Sequence, residues 1–75
     1  MPRYYFNVCS DEHESTDLVG EDCPDDLAAL KEAMRAASAI IHQQLFFNRL
    51  GDGWIEVEDE HHCEVMRLPL RAAAY

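Results

Sequence analysis

Basic residues are scarce in this chain. Six Lys and Arg stand against fifteen Asp and Glu, for a formal net charge of −9. Such a surface repels phosphate backbones and anionic lipid, so neither nucleic acid nor a membrane is expected as a partner. Glycine is scarce too, at three residues. The close pair, Gly51 and Gly53, follows the long helical segment rather than opening one, which removes a phosphate-cradling loop from consideration. Three cysteines, Cys9, Cys23 and Cys63, make an odd count that does not resemble a disulfide framework. No apolar run approaches the ~18 residues of a membrane span. Met1-Pro2-Arg3 leads straight into a strand-like Tyr4-Tyr5-Phe6 with no leader-like stretch. The expected setting is the cytoplasm, with reduced thiols.

What is present is enough for one small domain, 1–75, and no more. Apolar residues reach 48%, too many for a disordered chain. A domain of this size buries only about 60% of its unfolded surface, so its core is thin and help from a partner chain is common.

The pattern predicts five elements in β-β-α-β-β order. Arg3 to Cys9 alternates Tyr4, Phe6 and Val8 on one face with Arg3, Tyr5 and Asn7 on the other, a half-buried strand. Ser10 to Ser15 is a polar turn, and Thr16 to Val19 is a short second strand ended by Gly20. Pro24 suits the first helical position, with Asp25 and Asp26 at the positive end of the helix dipole. The helix is expected to run to about Arg49 and stop at Gly51. Leu27, Leu30, Met34, Ala37, Ile41 and Leu45 recur at three- and four-residue steps and form the expected core stripe. Ala29, Ala33, Ala36, Ile40 and Phe47 form a second stripe away from it.

Trp54 to Glu58 is the third strand, with Ile55 and Val57 inward. After an Asp59–His62 turn, Cys63 to Leu70 is the fourth. A simple hairpin register pairs Trp54 with Arg67, where a cation–π contact is worth roughly 0.5–1 kcal/mol if exposed. Arg71 to Tyr75 is expected to fray. The economical packing is an α+β two-layer domain, a mostly antiparallel four-stranded sheet with one long helix across one face.

Met1-Pro2-Arg3-Tyr4-Tyr5-Phe6, Asp17-Leu18-Val19-Gly20, Trp54-Ile55-Glu56-Val57-Glu58-Asp59-Glu60 and Arg67-Leu68-Pro69-Leu70 together resemble an uncharacterised family of short bacterial proteins, a domain of unknown function. Its members open Met-Pro-Arg-Tyr-(Tyr/Phe)-Phe and carry an Asp-x-x-Gly step, an alanine-rich helix and a Trp-x-(Ile/Val)-x-Val-x-Asp-Glu segment. Where members often have histidine, Asn7 stands here. The resemblance implies a fold and carries no activity.

Candidate chemistry is thin. His61, His62 and Cys63 are consecutive, and Cys9 and His13 lie near one another. Cys and neutral His are good zinc ligands, but the regular spacing of a zinc site is missing. Carboxylates flank Cys9 and Cys23 and disfavour a reactive thiolate. Paired carboxylates are abundant, but so thin a domain can hardly enclose the pocket that acid–base catalysis needs. No cofactor and no enzymatic activity are expected.

Two surfaces remain. Asp11, Glu12, Glu14 and Asp17 open an acidic stretch reaching Asp26 without a Lys or Arg, a solvated face or a docking patch for a basic protein surface. A helix from Asp25 to Arg49 would be about 37 Å long, against about 20 Å for a six-residue strand. Its end, with Ile40, Phe46, Phe47 and Leu50, would overhang the sheet and suit an apolar homodimer interface. Tyr5 and Trp54, on the other sheet face, are the alternative surface. The leading expectation is a non-enzymatic interaction or regulatory module, a homodimer. The alternatives are an acidic inhibitor or nucleic-acid mimic and a small metal-binding protein.

Overall fold

The computed structural model describes residues 1–11, 14–43 and 53–73. Its elements are β1 (Arg3–Cys9), β2 (Glu14–Ser15), β3 (Glu21–Asp22), α1 (Asp26–Gln43), β4 (Trp54–Glu58) and β5 (Glu64–Pro69), followed by a 3-10 turn, Leu70–Ala73. All pairings are antiparallel, and the sheet runs β2-β1-β4-β5 with β3 also on β1. The domain is α+β in the expected order, with five strands instead of four.

The two short strands flank the segment expected to be one strand at Thr16–Val19: β2 falls in the expected Ser10–Ser15 turn, and β3 lies just beyond Gly20. Thr16–Val19 itself does not pair. Instead, the chain touches β1 twice, at Val8–Cys9 through β2 and at Arg3–Tyr4 through β3. Between them it loops out over Asp17, because the Asp17 carboxylate offers the backbone amides an alternative to ladder bonds.

The helix starts at Asp26, two residues later than proline placement suggests. Asp25 is the cap: its Oδ1 accepts the Ala28 N–H at 2.9 Å, and its carbonyl accepts the Ala29 N–H at 3.1 Å. Pro24 therefore precedes the cap. The expected continuation from residue 44 to Arg49 lies outside the described residues, as do Leu45, Phe46, Phe47 and Leu50.

The core lies on a different helical face from the one expected. Ala29, Ala33 and Ala37 are fully buried, while Leu27 is 60% and Met34 44% exposed. At about 100° per residue the buried stripe is rotated by roughly a quarter-turn from the Leu/Met stripe, and Ala37 lies where the two meet. The reason is volume. The strands supply Phe6, Val8, Ile55, Val57, Met66 and Leu68, and the turn supplies Leu70. Facing so much bulk, the helix fits at close-packed density only with small side chains. Ile40, reserved above for a partner, is half-buried against this core.

The C-terminal segment is also more ordered than expected up to Ala73. Leu70 is fully buried, its N–H donates to the Gly53 carbonyl at 3.0 Å, and the turn packs against α1. No helix among the described residues is long and apolar enough to cross a membrane.

Candidate functional site: the helix-free face of the sheet

Strand alternation sends Tyr4, Phe6, Val8, Ile55, Val57, Met66 and Leu68 to the helix. The other face is then set by register. Its rows are Tyr5–Glu58–Glu64, Asn7–Glu56–Arg67 and Cys9–Trp54–Pro69. No helix covers these rows among the described residues. The β4–β5 register slips between Val57 and Glu58, where Val65 is the extra residue of a bulge.

One end of the face is organised by the β4–β5 turn. The Asp59 Oδ1 accepts the N–H groups of His61 (2.8 Å) and Cys63 (3.0 Å), and these bonds, the one from Cys63 foremost, hold the Asp59 carboxyl below the usual range. His62 takes a positive φ of 62°, a conformation in which histidine is several-fold enriched among non-glycine residues. That backbone turns its ring back onto the sheet. It stacks on Tyr5 with centroids 4.5 Å apart and an interplanar angle of 27°, and Nδ1 lies 3.2 Å from the Glu58 Oε1.

At the other end Glu56 is the hub. Its Oε2 accepts the Trp54 Nε1–H at 2.7 Å and meets the Arg67 Nη2 at 3.3 Å. Arg67 also reaches the Glu64 Oε1 at 3.1 Å, and its guanidinium carbon sits 5.5 Å from the Trp54 ring centroid. The Glu64 bond first, with the Glu64 and Glu56 charges, raises the Arg67 pKa despite some desolvation. The Trp54–Arg67 contact is as expected, but by another register: Trp54 opposes Pro69 and Arg67 opposes Glu56. A two-residue shift keeps every side chain on its face, and the diagonal neighbour remains in reach.

Cys9 lies beside this hub, 5% exposed, and its thiol donates weakly to the Glu14 Oε1 at 3.8 Å. Burial first, then the carboxylates of Glu56 and Glu14, push the Cys9 thiol up to about 11. Burial likewise raises Cys23, with Glu21 and Glu32 adding to it. These two thiols are poor nucleophiles.

The middle row is braced from the β2–β3 loop. The buried Asn7 accepts the Asp17 N–H on Oδ1 at 2.8 Å, while the Asp17 Oδ2 accepts the Phe6 N–H at 3.1 Å. Asp17 is thus a structural residue within the expected acidic patch. Of the others, Asp11 and Glu14 are exposed, and Glu12 lies outside the described residues with His13.

The candidate ligands His61, His62 and Cys63 do not converge. His61 reaches toward Glu60 at 3.9 Å, His62 is turned to Tyr5 and Glu58, and the exposed Cys63 thiol faces the His61 carbonyl at 4.0 Å. Ligand atoms that do converge are those of Cys9, Glu14 and Glu56, all within 4.8 Å of one another. Sequence reasoning missed this group because Glu56 reaches it only through the β1–β4 pairing. Tyr5 and Trp54 both lie half-buried on the helix-free face, as expected.

Fold and face define the class: an α+β domain whose single described helix covers one side of an antiparallel sheet. The family follows from the chain itself. The profile of a family described as a domain of unknown function, DUF6894, matches residues 3–71, and the chain belongs to that family. No curated protein and no solved structure matches it.

Proposed function

We propose that this domain is a non-catalytic protein-interaction or regulatory module that works as a homodimer, with the helix-free sheet face as the contact surface. The observation that carries this reading is the pair Tyr5 and Trp54. Both are half-buried aromatic side chains on a face that no helix covers among the described residues, and neighbours hold each in one orientation, His62 for Tyr5 and Glu56 with Arg67 for Trp54. Aromatic anchors ordered in advance lose little conformational freedom on binding. The face also carries both signs of charge, Arg67 beside Glu56 and Glu64, so a two-fold arrangement can set the guanidinium of one copy against carboxylates of the other. A cytoplasmic setting suits the chain, since Cys9, Cys23 and Cys63 are free.

Each copy brings a charge of −9, so salt should strengthen the dimer by screening the repulsion. Light scattering across a concentration series, at low and high salt, tests this. The expected result is a mass rising toward twice 8.6 kDa, at lower concentration in high salt, with Trp54→Ala and Tyr5→Ala shifting the transition upward. A single monomer mass up to high micromolar protein in both salts overturns the homodimer.

A second reading is favoured by the β1 edge. β2 and β3 both lie along it and present Glu14, Glu21 and Asp22 exposed, with Asp11 close in sequence; Asp22 pairs with Arg3 at 3.2 Å and Glu14 accepts weakly from the Cys9 thiol. Such an edge suits a basic protein surface of the kind that holds nucleic acid, in a complex weakened steeply by salt. Unchanged capture of a basic partner after neutralising Asp11, Glu12 and Glu14 would sink this reading.

A further inference from the structure

The three side chains gathered around Cys9 form a donor set as well as a hydrogen-bond cluster. β1 supplies the thiol of Cys9, β2 the carboxylate of Glu14 opposite it in register, and β4 the carboxylate of Glu56 two pairs further along, on the same face. Three strands therefore fix three ligands of two chemical types. The Cys9 Sγ to Glu14 Oε1 distance of 3.8 Å is close to the separation of two ligand atoms on one tetrahedral zinc, given Zn–S near 2.3 Å and Zn–O near 2.0–2.2 Å.

Glu56 is held as a ligand carboxylate should be. Trp54 and Arg67 both engage its Oε2, which fixes the plane of the group, and one of its oxygens lies within 4.8 Å of the Cys9 Sγ and a Glu14 oxygen. Outer partners of this kind orient metal-binding carboxylates. The buried thiol stands between negative groups, so a cation there would relieve the unfavourable contacts that now raise its proton affinity. Glu14 is exposed, which gives an ion a path from solvent and leaves a fourth position for water.

We propose that Cys9, Glu14 and Glu56 form a binding site for one borderline-soft divalent cation of the zinc type. Thiolate with carboxylate donors selects zinc, cobalt(II) or cadmium over magnesium and calcium, which prefer all-oxygen sites. Binding forms the metal–sulfur bond and releases the Cys9 thiol proton to solvent. Affinity therefore rises about tenfold per pH unit while that thiol is protonated in the free protein. The site does not depend on the homodimer reading, and its test needs no partner.

The test is a cobalt(II) titration of chelator-treated, reduced full-length chain, read by the near-ultraviolet thiolate-to-cobalt charge-transfer band, with zinc as competitor. The expected result is a band saturating at one equivalent, displaced by zinc, kept in Cys63→Ser and in the His61→Ala/His62→Ala double variant, and lost in Cys9→Ser. Because Cys9 is buried and its variant can misfold, Glu14→Gln is the second arm. Its side chain is exposed, and it should weaken cobalt tenfold or more while leaving the circular dichroism unchanged. No charge-transfer band, a band that survives Cys9→Ser or disappears in Cys63→Ser, or an unaltered affinity in Glu14→Gln each overturns the assignment.

Discussion

Asp17 accepts the backbone N–H of Gly20 on its Oδ1 at 3.1 Å, and Gly20 is the only residue type that fits where that bond puts it. Gly20 has φ +76°, and a Cβ there would lie 2.8 Å from the Arg3 Cγ and 2.9 Å from the Tyr4 carbonyl oxygen. The same carboxylate also takes the N–H groups of Val19 and Phe6. This is the physical content of the Asp-x-x-Gly step: it closes the loop that folds β2 and β3 onto one edge of β1. Replacing Gly20 with Ala is expected to cost at least 1–2 kcal/mol, roughly the penalty of a left-handed conformation, measured by urea unfolding.

The pH dependence of Asp17 has a definite sign. Burial tends to raise its pKa, but the amides of Gly20, Phe6 and Val19, with Arg3, outweigh it and hold the folded-state carboxyl below its ordinary value. A group depressed on folding stabilises fully above its unfolded pKa, about 3.9 for Asp, and loses that contribution as pH falls through the folded value. Stability attributable to Asp17 should therefore be intact at neutral pH and decline below about pH 4. Asp17→Asn should lower stability at pH 7 by about 1–3 kcal/mol, the cost of impaired charged hydrogen bonds, and flatten the acid limb. An unchanged acid limb would show that other carboxylates carry it.

The alanine stripe makes an opposed pair of predictions. Ala33→Leu overpacks a site with no exposure and should destabilise by about 1–3 kcal/mol or more. Met34→Ala, one residue away but facing water, should stay within about 0.5 kcal/mol. Reversal of that order would restore the Leu/Met stripe as the core face.

Tyr4 should titrate late for a phenol. Its hydroxyl donates to the Asp26 Oδ1 at 2.6 Å, and that bond first, then burial and the nearby Asp charges, push its pKa to about 12. The raised value means that its contribution to stability is present below pH ~10 and is lost as pH rises toward 12. An ultraviolet pH titration should show a component near that pH which Tyr4→Phe removes.

Thiol reactivity should split by burial. Cys63 is exposed, whereas Cys9 and Cys23 are buried with raised pKa values. A disulfide reagent at neutral pH should therefore modify Cys63 quickly and the other two only on unfolding. Fast modification of Cys63→Ser would contradict this.

These particulars show where the sequence was readable. Arg3–Cys9 and Trp54–Glu58 alternate cleanly, and the structure has both strands at those bounds. The helix was legible as an element, but its buried face was not. Leu27 and Met34 outrank alanine on any hydrophobicity scale, and only the bulk arriving from β1, β4 and β5 decides that small residues go inward. Thr16–Val19 misled because the strand pattern there is overridden by one side chain, Asp17, whose bonds span the loop. The Cys9–Glu14–Glu56 group was out of reach for a different reason: Glu56 is far from Cys9 in sequence and arrives only through strand pairing.

The central claim is that the helix-free face is where a second copy sits, and Trp54, the single tryptophan, reports on it directly. Acrylamide quenching of its fluorescence, followed from low to high micromolar protein beside the molar mass, is the decisive measurement. The account predicts that quenching falls and emission shifts to the blue in step with dimer formation. A dimer that forms while Trp54 stays equally quenchable would place the interface elsewhere and contradict the claim.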